Sequence, residues 1–133
     1  MAVQRFGVSL KKELLEKLDQ LVKVRQFPSR SQAIAYLIEK EGVQEDWSDD
    51  QEVAGAIVLV YDHHKRDVAD ESTRLQHEVH HLILSVQHIH ISYERCLETI
   101  AVKGKASKLR VLANRLIGMK GVEYGELVMS KSV

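Results

Sequence analysis

Leu82-Ile83-Leu84-Ser85-Val86-Gln87-His88-Ile89-His90-Ile91, the short Ser92-Tyr93-Glu94, and then Arg95-Cys96-Leu97-Glu98-Thr99-Ile100-Ala101-Val102-Lys103 form the stretch whose reading decides the fold. Side chains alternate across a strand. Leu82, Leu84, Val86, His88 and His90 therefore share one face of the first run, and Cys96, Glu98, Ile100 and Val102 share one face of the second. Ser92-Tyr93-Glu94 makes the turn between two partner strands. His88 and His90 then present two imidazoles on the same side, and the returning strand brings the Cys96 sulfur to the same place. Three donors are assembled, with a fourth donor, a third histidine, to find. All seven histidines fall between His63 and His90, and the single cysteine lies six residues beyond the last.

Working outward, Val53 to Tyr61 is a nearly continuous apolar run of β-branched character, as a central strand requires. Asp62-His63-His64 leads into a predicted helix from about Lys65 to His80, with Val68, Ser72, Leu75 and Val79 on one face. On the other side, Gly104 is expected to break the second strand. Leu109, Leu112, Ala113, Leu116 and Ile117 mark an amphipathic helix ending at Gly118 and Gly121, and Val122 to Met129 closes as a strand. The order βαββαβ is that of the ferredoxin-like split fold, four antiparallel strands with two helices on one face. Among regulators it is the topology of the ACT module, assigned here to residues 53–133.

Nearer the N-terminus, Phe6, Val8 and Leu10 alternate with Arg5, Gly7 and Ser9, the period of a short strand with one apolar face. No second strand occurs before residue 53, so its backbone groups need a partner from another chain. Leu14, Leu15, Leu18, Leu21 and Val22 predict an amphipathic helix from about Lys11 to Gln26, ended by Phe27-Pro28. Ser29 with Gln32 fits a capping box for a second helix with Ala33, Ile34, Leu37 and Ile38 as its stripe, and Gly42 is read as its stop. The acidic run at residues 44–52 has no periodicity and reads as a linker, leaving residues 1–43 as a first unit. The overall class is α+β.

Net charge is zero, but it is segregated: residues 1–42 carry eight Lys/Arg against five Asp/Glu, and residues 43–53 carry five acids and no base. No apolar run approaches the ~20 residues that span a bilayer, and the start lacks the apolar core of a signal peptide, so a cytoplasmic protein is expected. A lone cysteine excludes an intramolecular disulfide and leaves a thiolate ligand or a small core residue. Three imidazoles and a thiolate suit late divalent metals, and the donor set by itself leaves nickel, copper and zinc open. Glu98, two residues past Cys96 on the same face, is placed to accept a ligand N–H. Glu78 and Glu98 would be the general-base candidates of a metalloenzyme, but no catalytic signature surrounds them.

Strand, helix, turn and helix in about forty residues resembles the ribbon-helix-helix module of bacterial repressors, in which two chains pair their strands and the ribbon enters the DNA major groove. The resemblance implies that Arg5, Gly7 and Ser9 face base edges. Arg is a bidentate reader of guanine, and Gly7 departs from the polar residue common at that position. It also implies that the N–H groups of Ser29, Arg30 and Ser31 bind a phosphate. The whole chain is similar to the nickel-responsive repressor family through Ser29-Arg30-Ser31, Tyr61 with His63, Lys65, Arg66 and Asp67, Gln76-His77, His88-Ile89-His90 and Cys96-Leu97-Glu98. That similarity implies one Ni(2+) per subunit, bound in a planar arrangement by His88, His90 and Cys96 of one subunit and His77 of a facing one, in a homotetramer that binds double-stranded operator DNA. Lys65 and Arg66 match positions that touch the DNA backbone. Gln32 and Tyr36 stand where the family sometimes has acidic residues for a further cation, so no second cation site is assigned. The alternative expectation is a metal-independent regulator whose ACT unit senses a small molecule.

Overall fold

The computed structural model describes residues 2–62, 64 and 66–133, with the backbone alone at Arg66, Asp67 and Ala69. His63 and Lys65 lie outside the described residues, as does the side chain of Arg66. Backbone contacts divide the chain into two units, one ending at Glu41 and the other running from Gly42 to Val133.

The first unit holds α1, Lys12–Val24, and the greater part of α2, Arg30–Ser48. α1 closes with Gln26 at φ +57°, and the Phe27 N–H donates to the Val22 carbonyl at 3.0 Å. This left-handed closing turn leaves Pro28 beyond the helix. Ser29 Oγ accepts from the Gln32 N–H at 3.2 Å, so Ser29 caps α2 as its spacing from Gln32 predicts. Arg30 forks onto Asp19 at 2.7 and 2.9 Å, fastening the start of α2 to α1. Residues 5–10, predicted as a short strand, have no regular ladder among the described residues. Phe6, Val8 and Leu10 remain 76, 58 and 41% exposed, and no residue of α1 is buried. Among the described residues this segment finds no strand to pair with, and Ala33 is the one buried residue of the unit, too small a core to stabilise it alone.

The expected stop at Gly42 and the linker at 44–52 are corrected. α2 runs through Gly42 to Ser48. A glycine inside a helix costs only ~1 kcal/mol relative to alanine, which the packing of Val43 and Trp47 against the second core outweighs. Only residues 49–51 separate α2 from the next strand.

The second unit contains β1 Glu52–Asp62, α3 Arg66–Glu78, a 3₁₀ turn His80–Leu82, β2 Ile83–His90, β3 Arg95–Lys105, α4 Ala106–Ile117 and β4 Val122–Ser132. The sheet order is β2-β3-β1-β4 with every pairing antiparallel. This is the predicted βαββαβ arrangement, with β1 central. Ile57, Leu59 and Tyr61 of β1 and Ile100 and Val102 of β3 pack with Val68 and Leu75 of α3 and Leu109, Leu112 and Leu116 of α4. One face of the sheet therefore carries both helices. Gly104 does not break β3; it pairs with Val53, and the strand continues to Lys105. α3 ends at Glu78, short of the expected His80, because the chain tightens into the 3₁₀ turn. No helix among the described residues is long and apolar enough to cross a membrane.

Candidate metal centre

The β2–β3 register places His90 opposite Cys96 and His88 opposite Glu98. The β1–β3 register places Tyr61 opposite Cys96. Directly opposed residues share a face, with Cβ atoms about 4.5–5.5 Å apart. The link between β2 and β3 is held by Ile91 and Ser92 N–H groups donating to the Arg95 carbonyl at 3.0 and 3.3 Å, and by Arg95 N–H donating to Ser92 Oγ at 3.0 Å. That closure fixes the register. The His88 and His90 rings lie side by side, with centroids 5.7 Å apart.

β2 is an edge strand, so both imidazoles remain open to solvent while Cys96 beside them is fully buried. The thiol is turned toward the Leu97 carbonyl, 3.9 Å away. In this rotamer, no three His, Cys, Asp or Glu side chains of the chain, among the described residues, converge as a metal cage. The backbone brings His88, His90 and Cys96 to one face of the sheet, and their donor atoms would meet on an ion only after side-chain rotation. His77 is separate from them, exposed in the last turn of α3 with its ring 6.3 Å from that of His80.

Behind the strand donors, Glu98 is 3% exposed and works as a hub. Its carboxyl accepts from the Tyr61 hydroxyl at 2.8 Å, from Gln76 Nε2, and from the Ser72 hydroxyl at 3.4 Å. Gln76 Nε2 also donates to Ser72 Oγ at 2.8 Å. His88 Nδ1 is 3.9 Å from Glu98 Oε2 and 3.4 Å from the Tyr61 oxygen. Glu98 therefore stands behind His88 with Tyr61 between them. Tyr61, Gln76 and Ser72 received no role in the sequence reading. The signal for Ser72 was a lone hydroxyl on the apolar face of α3, where a small residue passes as filler.

Burial pushes the Cys96 thiol above its ordinary pKa; the nearby Glu98 charge adds to this, and a hydrogen bond with Tyr61 opposes it. Burial, and then the bond to Glu98, also raise the Tyr61 hydroxyl. A metal bound by this sulfur would have to displace the thiol proton, so such binding would weaken as pH falls. Two imidazoles and a thiolate that share a face, backed by a satisfied carboxyl, fit a borderline-soft divalent ion.

Among the predicted DNA-facing residues, Arg5, Gly7 and Ser9 are exposed on the unladdered N-terminal segment, and Ser29, Arg30 and Ser31 are exposed around the start of α2. Arg66 opens α3.

Residues 54–130 match the family model described as the NikR C terminal nickel binding domain. Residues 4–41 match the model for ribbon-helix-helix proteins of the copG family. Among curated relatives, one from Syntrophus aciditrophicus is 45% identical over 96% of this chain and 93% of its own length. Another, from Nitratidesulfovibrio vulgaris, is 47% identical over 95% and 91%, and one from Pyrococcus furiosus is 46% identical over 98% and 95%. All three carry the name nickel-responsive regulator. The chain belongs to the nickel-responsive regulator family, transcriptional regulators and not enzymes, with a DNA-binding ribbon-helix-helix domain followed by a nickel-binding domain.

Proposed function

We propose that this protein is a nickel-dependent repressor of nickel-uptake genes, active as a homotetramer on double-stranded operator DNA. His88, His90 and Cys96 of one chain, with His77 of a facing chain, would hold one Ni(II) per subunit. The observation that carries this reading is the cross-strand pairing of His90 with Cys96, with His88 two residues along the same face. Those side chains offer three donors, and His77 on the exposed end of α3 supplies a fourth to a neighbour. Bound nickel supplies a link between chains.

The chain's own residues do the rest. Tyr61 and Glu98 orient His88 from behind, while Ser72 and Gln76 tie α3 to the same carboxyl. α3 carries His77 near its end and Arg66 at its start. Lys65 and Arg66 would add contacts to DNA phosphate. Arg5 and Ser9 would read base edges from a two-chain ribbon, with the N–H groups of Ser29, Arg30 and Ser31 fixing the register on the backbone. His77, His88, His90 and Cys96 would favour the operator-binding form when they hold the metal, provided that this form holds it more tightly.

An electrophoretic shift with purified protein tests this. Operator affinity is expected to rise by ~5–150-fold on nickel loading, the usual span of an allosteric coupling. Equal affinities with and without nickel would end the proposal, and a response to a small molecule instead would favour the metal-independent alternative.

A further inference from the structure

We infer that residues 43–52 are a strap built into the second unit, that the joint between the two units is Glu41-Gly42, and that Trp47 is the positioning residue that fixes this joint. Trp47 is 2% exposed. Its indole N–H donates to the Ser130 carbonyl at 2.9 Å, and the Arg110 guanidinium lies 5.6 Å from the ring centroid. Gly55 makes room for the ring: a Cβ there would come within 3.3 Å of Trp47 and 2.7 Å of the Val128 carbonyl oxygen. Val43, one turn earlier, packs against the same core.

Two of the five acidic residues in this run, Asp46 and Asp50, serve this attachment. Asp46 Oδ2 accepts from the Ser132 N–H at 3.3 Å, on the end of β4. Asp50 Oδ1 accepts from the Ser107 N–H at 2.7 Å, and the Gln51 carbonyl accepts from the Ala106 N–H at 3.1 Å, so residues 50–51 cap α4. These carboxylates answer backbone N–H groups at the edges of the second domain. They do not mark a free linker.

Gly42 differs from the residues that follow it. A Cβ added there meets nothing within 4 Å, so no packing constraint calls for glycine. What glycine brings inside a helix is a weak point. A change in the second unit would carry the strap with it, leaving the freedom between units to the residues around Gly42. The consequence for regulation rests on the nickel-dependent reading above; the strap does not.

Trp47 is the only tryptophan, so its emission reports the strap alone. In the full-length protein, its emission maximum and acrylamide accessibility are expected to stay those of a buried indole in the apo, nickel-loaded and operator-bound states. A red shift with increased quenching in any of the three overturns the inference. Gly-Ser-Gly inserted after Gly42 is expected to leave Trp47 buried and nickel stoichiometry intact, and to cut the nickel-induced gain in operator affinity by about ten-fold, most of a typical coupling. The same insertion after Ser48 is expected to expose Trp47. If both insertions leave Trp47 buried and the nickel gain unchanged, the strap is wrong. A wild-type protein with no nickel gain would sink the proposed function while the quenching data still judged the strap.

Discussion

Cys96→Ala is expected to remove tight nickel binding while leaving the fold in place. The residue is fully buried but small, and its strand is paired on both sides, with His90 and with Tyr61. Exchanging a thiol for a hydrogen there costs on the order of 1 kcal/mol, as small core truncations do, and leaves both registers intact. In the proposed ligand set, the metal would lose its only anionic donor. Outer residues of metal sites are worth ~10–100-fold in affinity when mutated, and a direct ligand exceeds that. Competition against a chelator of known strength measures the loss, and absorption spectroscopy follows the thiolate charge-transfer band. His88→Ala is expected to behave the same way. A Cys96→Ala protein that retains wild-type affinity and absorption would remove Cys96 from the ligand set.

Glu98→Ala carries the second large effect, and it is a different one. This carboxyl is the common acceptor of Tyr61, Ser72 and Gln76. Its removal takes an acceptor from three donors, of which Gln76 keeps the Ser72 oxygen, and each buried group left unsatisfied costs ~1–3 kcal/mol. Partial rescue by entering water brings the expected loss to about 3 kcal/mol. Tyr61 would then no longer hold its hydroxyl beside His88 Nδ1, so nickel affinity falls by ~10–100-fold as well. Glu98→Gln keeps an acceptor oxygen and should lose markedly less of both. Thermal melts of the apo protein and nickel titrations of the two variants separate these contributions. Full apo stability in Glu98→Ala would show that the hub does not support the domain.

Much of the second domain was legible because its information is local. Alternation in β2 and β3 and a short turn centred on Tyr93 are enough to set His90 against Cys96 and His88 against Glu98, each pair being equidistant from the turn. The helix periods of α1, α3 and α4 were equally plain. The strap was not legible, because its partners are remote in sequence: Trp47 reaches Ser130, Asp46 reaches Ser132 and Asp50 reaches Ser107. Without those partners, a glycine followed by acids reads as a helix stop and a solvated tether. The N-terminal strand is written in the sequence as a pattern, but its ladder needs a second chain, which no local signal supplies. The hub around Glu98 was half legible. Glu98 follows from the strand face, whereas Ser72 and Gln76 come from a helix whose rotation against the sheet is a tertiary matter. Spacing also could not reveal that the Cys96 thiol turns toward Leu97, because rotamers are set by packing.

The central claim is that each nickel ion takes donors from two chains, and inter-subunit complementation tests it most directly. His77→Ala and Cys96→Ala proteins are prepared separately, unfolded together and refolded, and tight nickel sites are counted by titration with the charge-transfer band as the readout. Each variant alone should lack the intact site. In the mixture, a Cys96-bearing chain that faces a His77-bearing chain rebuilds a complete site, so the band and tight binding should return in part. No recovery in a mixture shown to contain both chains in one assembly would contradict the account.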